Sequence, residues 1–151
     1  MIIRKATIND LNSILSLNKD LFIYERRFGK TYNLKWTYSK TGKEYFLHRL
    51  KSKKAVVLIA LDKKNIVVYI IIYLDIYPFR SINPIGEIEN MYVKKGYRNK
   101  GVGTLLAKKA IKEAKRKGAK RFKVEALVQN KNAISYYRSL GFKDFNLILE
   151  L

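Results

Sequence analysis

Apolar and polar positions along the chain fall into segments of two periods. Residues 2–8, IIRKATI, alternate and predict a strand. Downstream, Leu11, Ile14, Leu15, Leu17 and Leu21 recur at helical spacing, with Thr7 or Asn9 as the cap. The stretch YERRFGKTYNLKWTYSKTG (24–42) is polar, aromatic and irregular, and KEYFLHRLKS (43–52) predicts a short helix with Phe46, Leu47 and Leu50 inward. KAVVLIALD (54–62) and NIVVYIIIYLDIY (65–77) are β-branched runs separated by a turn over Asp62–Asn65, the pattern of a hairpin. IGEIENMYV (85–93) is the next strand. Val102, Leu105, Leu106, Ala110, Ile111 and Ala114 then make a helical stripe that Gly118 closes. RFKVEALV (121–128) predicts a strand, NKNAISYYRSL (130–140) a helix ended by Gly141, and FKDFNLILEL (142–151) a final strand.

The predicted order is β-α-α-β-β-β-α-β-α-β. It implies an α/β (α+β) domain with a central mixed, mostly antiparallel twisted sheet flanked by about four helices. A hairpin comes first and two right-handed strand–helix–strand crossovers follow. The length of 151 residues suits one domain spanning 1–151.

Composition narrows the chemistry. A hydrophobic fraction of 48% supports a core of ordinary size. No run of about eighteen apolar residues occurs, so no membrane span is expected. The start, MIIRKATIND, lacks the apolar core of a secretory signal, and a cytoplasmic location is expected. Cysteine is absent and His48 is the single histidine, which excludes disulfides, thiolate metal sites and multi-histidine metal sites. His48 itself reads as a surface or capping residue. Lysine and arginine number 32 against 12 acidic residues, a net charge of +20 that favours anionic partners such as nucleic acid, an acidic membrane or a polyanionic cofactor. The cations are spread along the chain, and lysine is also a common surface residue.

The least ordinary stretch is ENMYVKKGYRNKGVGTLLAKKA (89–110), where a strand runs through a glycine-rich turn into a helix. Such a junction suits phosphate: the first N–H groups of a helix lack internal partners, the dipole adds positive potential, and glycine lets backbone approach an oxyanion. Two familiar phosphate loops fail. Counted from Gly96, a P-loop would need Lys-Ser/Thr after Gly101, where Val102 stands, and a dinucleotide fingerprint would need glycine at Leu106. What remains is Arg98-x-x-Gly101-x-Gly103, followed by Asn130, Ala133, Tyr137, Gly141 and Phe142 at a fixed spacing.

These two motifs, in register and over an agreeing order of elements, resemble the GNAT superfamily of acetyl-CoA-dependent N-acetyltransferases over nearly the whole chain. The family's loop reads Arg/Gln-x-x-Gly-x-Gly/Ala and its next segment Asn-x-x-Ala-x-x-x-Tyr-x-x-x-Gly-Phe. Two departures are visible: Lys95 stands where proline is common, and Val68, before Tyr69, where glycine is common. The resemblance implies acetyl-CoA as the acetyl donor, with coenzyme A as product. It assigns the pyrophosphate to Arg98, Asn99, Lys100, Gly101, Val102, Gly103 and Thr104. Met91, Tyr92 and Val93 would pair with the pantetheine arm as an added strand. Asn130 matches an amide-binding asparagine and also suits an N-cap.

For the chemistry, attack of a neutral amine on a thioester, the resemblance makes Tyr137 the general acid. Tyr136 is its rival, and core packing is the other reading of Tyr137. Glu87 and Glu89 sit at i, i+2 on one strand and share a face. Glu87 matches a base position, Glu89 a base or substrate anchor, and a structural ion pair is open for both. Tyr24, Glu25, Tyr32 and Trp36 are placed in the irregular segment, which in the family walls the acceptor site. The expected partner is an amine: a small amine, a polyamine, or a protein N-terminus or lysine. A basic nucleic-acid-binding module and a non-catalytic acetyl-CoA sensor are the alternatives. No base-reading signature is present, so nucleic acid is not expected as a partner, and a homodimer is possible.

Overall fold

A computed structural model describes all 151 residues. Strand β1 (Ile2–Lys5) leads through a short 3₁₀ turn into helix α1 (Leu11–Glu25), followed by α2 (Lys40–Lys51). Strands β2 (Ala55–Asp62), β3 (Asn65–Asp75) and β4 (Ile85–Val93) come next, then α3 (Val102–Arg116), β5 (Arg121–Val124) and α4 (Lys131–Ser139). No helix is long and apolar enough to cross a membrane.

The five strands lie in sequence order, antiparallel from β1 to β4, with β5 parallel to β4. Side chains alternate across the pleat, so the continuous β-branched runs of β2 and β3 feed two cores. On one face Val57, Ile59, Tyr69 and Ile71 pack with Ile14, Leu15 and Phe46 of α1 and α2. On the other, Val56, Leu58, Ile70 and Ile72 pack with Leu106, Ala107, Ala110 and Ala114 of α3.

The predicted helices and the first four strands are all present. Four expectations need correction. Residues 142–151 form no strand: Phe145, Leu147 and Leu149 are exposed, and a strand is stable only with a hydrogen-bonding neighbour. Consequently there is one strand–helix–strand crossover, β4–α3–β5, and not two. The strand predicted over 121–128 stops at Val124. Tyr24 and Glu25 belong to the last turn of α1 and not to the irregular segment after it.

Two features of β4 shape the site. Its parallel pairing with β5 covers only Ile85–Ile88 against Arg121–Val124, so the edge from Glu89 to Val93 is left open on that side. The register with β3 also slips, from Ile88↔Ile72 to Asn90↔Ile71, making Glu89 the extra residue of a bulge.

A buried polar node holds this bulge. Asn18 of α1 is fully buried, donates to the Tyr69 hydroxyl at 3.0 Å and the Asn90 side chain at 3.1 Å, and accepts from the Thr37 hydroxyl at 2.7 Å. Asn90 in turn donates to the Tyr45 hydroxyl at 2.7 Å. One amide thus ties α1, the 26–39 connection, β3 and β4 together, and no buried side-chain polar atom is left unpaired. Asn18→Ala strands the buried hydroxyls of Tyr69 and Thr37 and the half-buried Asn90 side chain, at about 1–3 kcal/mol for each buried group, and should destabilise the fold by roughly 3 kcal/mol or more in urea titration. Asn18→Leu, similar in volume, should do no better.

Candidate functional site

The cleft begins where β4 and β5 separate. Beyond Ile88 the strands diverge, and a cavity of about 890 Å³ opens between the end of α1, the Tyr32–Trp36 connection, β4, the start of α3 and the start of α4. It gathers nearly all the residues singled out in the sequence. Tyr24, Glu25, Trp36, Glu87, Glu89, Met91, Tyr92, Val93, Arg98, Asn99, Gly101, Gly103, Thr104, Asn130 and Tyr137 line it. Lys100 and Val102 do not: Lys100 is exposed with its ammonium 5.7 Å from the Tyr97 ring, and the Val102 side chain is buried in the α3 core. His48 lies on α2 beside Tyr73, outside the lining.

The glycine turn is built to present backbone. Asn99 and Gly101 take positive φ, 59° and 78°, and Gly101 is the N-cap of α3 with no side chain capping it. The first intrahelical acceptor is Gly101 C=O, bonded by Leu105 N–H at 3.0 Å, so the N–H groups before Leu105 have no helical partner. A Cβ at Gly101 would stand in open space, whereas one at Gly103 would come within 2.9 Å of Val93 Cγ2 and 3.3 Å of Met91 Cε. Gly101 therefore keeps the approach to the N–H groups clear, and Gly103 lets α3 press on β4. Arg98 does something the sequence did not suggest. Its Nε donates to Val93 C=O at 2.9 Å, and its guanidinium lies over the rings of Tyr24 at 4.8 Å and Tyr92 at 5.3 Å, fixing the loop to the strand end.

Glu87 and Glu89 share the α1/α2 side of β4, and both carry cations. Lys123 Nζ stands 3.4 Å from Glu87, which also accepts from the Tyr77 hydroxyl at 3.2 Å. Arg49 grips Glu89 with two bonds of 2.7 Å, and the Tyr45 hydroxyl donates a third of 2.7 Å. The Tyr45 proton is held far above its ordinary range by burial and then by the Glu89 charge. Glu25 differs from both. It has no cationic partner, and burial raises its pKa above the usual carboxylate range, partly offset by a hydrogen bond from Tyr32. Tyr32 is itself pushed up to about 12, by burial and then by Glu25. Glu125, just past β5, is a fourth carboxylate on the cleft.

Tyr137 lies on α4, packed against the α3-side core and lining the cleft. Burial, followed by the nearby charges of Tyr136 and Glu25, raises its pKa, so it holds its proton across the ordinary pH range. Tyr136, pushed up to about 12 by burial, has its hydroxyl 3.8 Å from Met91 Sδ. Asn130 caps α4 by accepting from Ala133 N–H at 3.2 Å, which uses Oδ1 and leaves its Nδ2 without a partner in the chain. Tyr45, Asn90 and Glu125 were missed in the sequence. Only Glu125 left a signal there, as one of a dozen acidic residues next to a predicted strand.

A family model described as "Acetyltransferase (GNAT) family" matches residues 15–142. An uncharacterised N-acetyltransferase of Methanocaldococcus jannaschii is 27% identical over 152 residues, covering 97% of this chain; the chain spans 62% of that relative's length. A mutant protein from Bacillus halodurans superposes with a TM-score of 0.86 at 22% identity, covering 100% of this chain and 98% of that one. An aminoglycoside N-acetyltransferase in complex with CoA superposes at 0.75 and 16% identity, covering 99% and 97%. At these identities the structures show a shared fold. The family match, extending over most of the chain and including both motifs and the cleft between them, shows that the chain belongs to the acetyltransferase (GNAT) family.

Proposed function

We propose that this chain moves an acetyl group from acetyl-CoA to a primary amine, and that the acceptor is a cationic small amine or a lysine-like group. One observation carries the acceptor: on a chain of net charge +20, four carboxylates line the cleft, and while Lys123 and Arg49 meet Glu87 and Glu89, Glu25 and Glu125 are left without a salt-bridge partner. Two cleft carboxylates without a cation, on a chain with so few acids, make a local site that attracts an ammonium.

The residues present fit the cofactor. The N–H groups at the start of α3, with Gly101 open in front of them, suit the pyrophosphate, and the resemblance assigns Arg98 to Thr104 to it. The free edge of β4 from Met91 to Val93 offers backbone groups to the pantetheine amides, and Asn130 Nδ2 is available beside them. When bound, acetyl-CoA supplies an electrophilic thioester carbonyl and a thiolate leaving group. Tyr137, protonated at working pH, is assigned to give the departing sulfur its proton. Glu25 and Glu125, which have no salt-bridge partner, take the acceptor's ammonium. Of the two strand carboxylates Glu87 is the freer, its cation at 3.4 Å against 2.7 Å for Glu89. Glu87 is assigned to receive the amine proton through water, and Glu89 to hold the wall formed by Tyr45.

Acetyl-CoA should raise the melting temperature and adenine should not; no shift at millimolar acetyl-CoA would remove the cofactor assignment. Tyr137→Phe should lower kcat about 100-fold while the KM for acetyl-CoA stays within a few-fold, and an unchanged kcat would end its role as acid. Glu25→Gln should raise the KM of a diamine acceptor about tenfold, roughly the 1.5 kcal/mol of one charge-assisted hydrogen bond. The same substitution has a signature in stability. A carboxyl with its pKa raised on folding binds more protons folded than unfolded, so the stability it confers is present at low pH and lost as pH rises through the folded value. Glu25→Gln should therefore raise the melting temperature at pH 7, with the gain fading toward pH 4.

A further inference from the structure

The acetyltransferase reading makes no use of the solvent face of α3. Its buried stripe is Val102, Gly103, Leu106, Ala107, Ala110 and Ala114. Opposite that stripe Lys108, Lys109, Lys112, Lys115 and Arg116 all point to solvent, and the single acid of the helix, Glu113, is engaged by Arg116 at 2.8 Å. Cations succeed one another at three- and four-residue intervals, so Lys108–Lys112, Lys109–Lys112 and Lys112–Lys115 are like-charge neighbours that destabilise an isolated helix. The face widens beyond the helix. Lys117 Nζ donates to Lys53 C=O at 2.9 Å, which brings exposed Lys53 and Lys54 alongside. Exposed Lys120 and Arg121 follow in the chain, so the span 108–121 holds eight lysines and arginines against one acid.

We propose that this face binds the phosphate backbone of a nucleic acid duplex. A rigid row of like charges set one helical turn apart fits a stiff polyanion of regular charge, which relieves the repulsion within the row by releasing counterions. Exposed aromatic side chains, on which unpaired bases would stack, are absent from α3, which favours a duplex over a single strand. The sequence carries no base-reading signature either, so contact is with phosphates and is independent of base sequence. The acids lie elsewhere, four of them in the cleft, so the outer face of α3 and the cleft carry opposite local charge. Docking through α3 leaves the cleft open to a cationic acceptor of the kind that condenses on the same polyanion.

The test is fluorescence anisotropy with a labelled 20-base-pair duplex of arbitrary sequence, on the full chain, from 50 to 300 mM salt. Binding is expected on the order of 10⁻⁶ M at the lowest salt, weakening steeply as salt rises. Two variants of equal net charge separate a face from a total: Lys108→Glu/Lys112→Glu/Lys115→Glu, and Lys35→Glu/Lys43→Glu/Lys64→Glu. The α3 variant should lose at least tenfold in affinity and about three from the salt slope, and the control no more than about threefold in affinity. A melting shift with acetyl-CoA in both variants shows that the fold and the cofactor site persist. Equal loss in the two variants, or no binding by the parent chain at 50 mM salt, overturns the proposal. Displacement of the duplex by polyglutamate at equal charge concentration overturns the nucleic-acid assignment in favour of an acidic protein. Duplex binding without any acetyl-CoA shift would leave the α3 face standing and remove the enzyme reading alone.

Discussion

Strand β4 keeps its second hydrogen-bonding neighbour for only four residues, and most of the candidate site follows from that. Up to Ile88 it is an interior strand between β3 and β5; from Glu89 onward its outer edge has no partner. An unpaired edge inside a fold is a liability unless something occupies or guards it. Here it faces a cavity between α3 and α4, lined by the start of α3, which no side chain caps, and by Tyr137. A strand-like segment of ligand would complete the sheet, while an anionic group would complete the helix.

Holding the edge open requires that β4 not shift its register. The bulge at Glu89 is fixed from below by Asn18 and Asn90 and from the side by Arg49 and Tyr45. Partly buried ion pairs of this kind contribute little net stability after desolvation, and losing one partner is costly. Their value here is geometric: they fix which side chains reach the cleft and keep Glu89 engaged. Glu25 is the contrasting case, a carboxylate kept from water without a cation to compensate it, and uncompensated groups of that sort concentrate where a ligand supplies the missing charge.

Charge is distributed with the same economy. Twelve acidic residues cannot balance 32 cations, and four of the twelve are spent on one cleft. The other eight acids are spread over the rest of the chain, and the outer face of α3 carries one of them, Glu113. Opposite fields on different faces of one small domain give it two anion or cation preferences at once, each local and each screened by salt beyond about 10 Å.

The sequence by itself determined the elements whose signal is local. The four helices, the β2–β3 hairpin and the glycine turn before α3 are all legible from apolar spacing and from Gly101, Gly118 and Gly141, which take positive φ as turns and helix ends require. The residues of the two motifs, Tyr137, Asn130 and the glycine turn before α3, meet on one cavity. What the tertiary structure alone decided depends on residues far apart in the chain. Residues 142–151 read as a strand, yet β-structure exists only where an edge is offered, and none pairs with them. Glu89 meets Arg49 across 40 positions and Asn18 meets Asn90 across 72, distances over which no periodic pattern carries information. Local chemistry sets the period of each segment; which carboxylate is paired and which is left free is set only when the sheet brings its neighbours together.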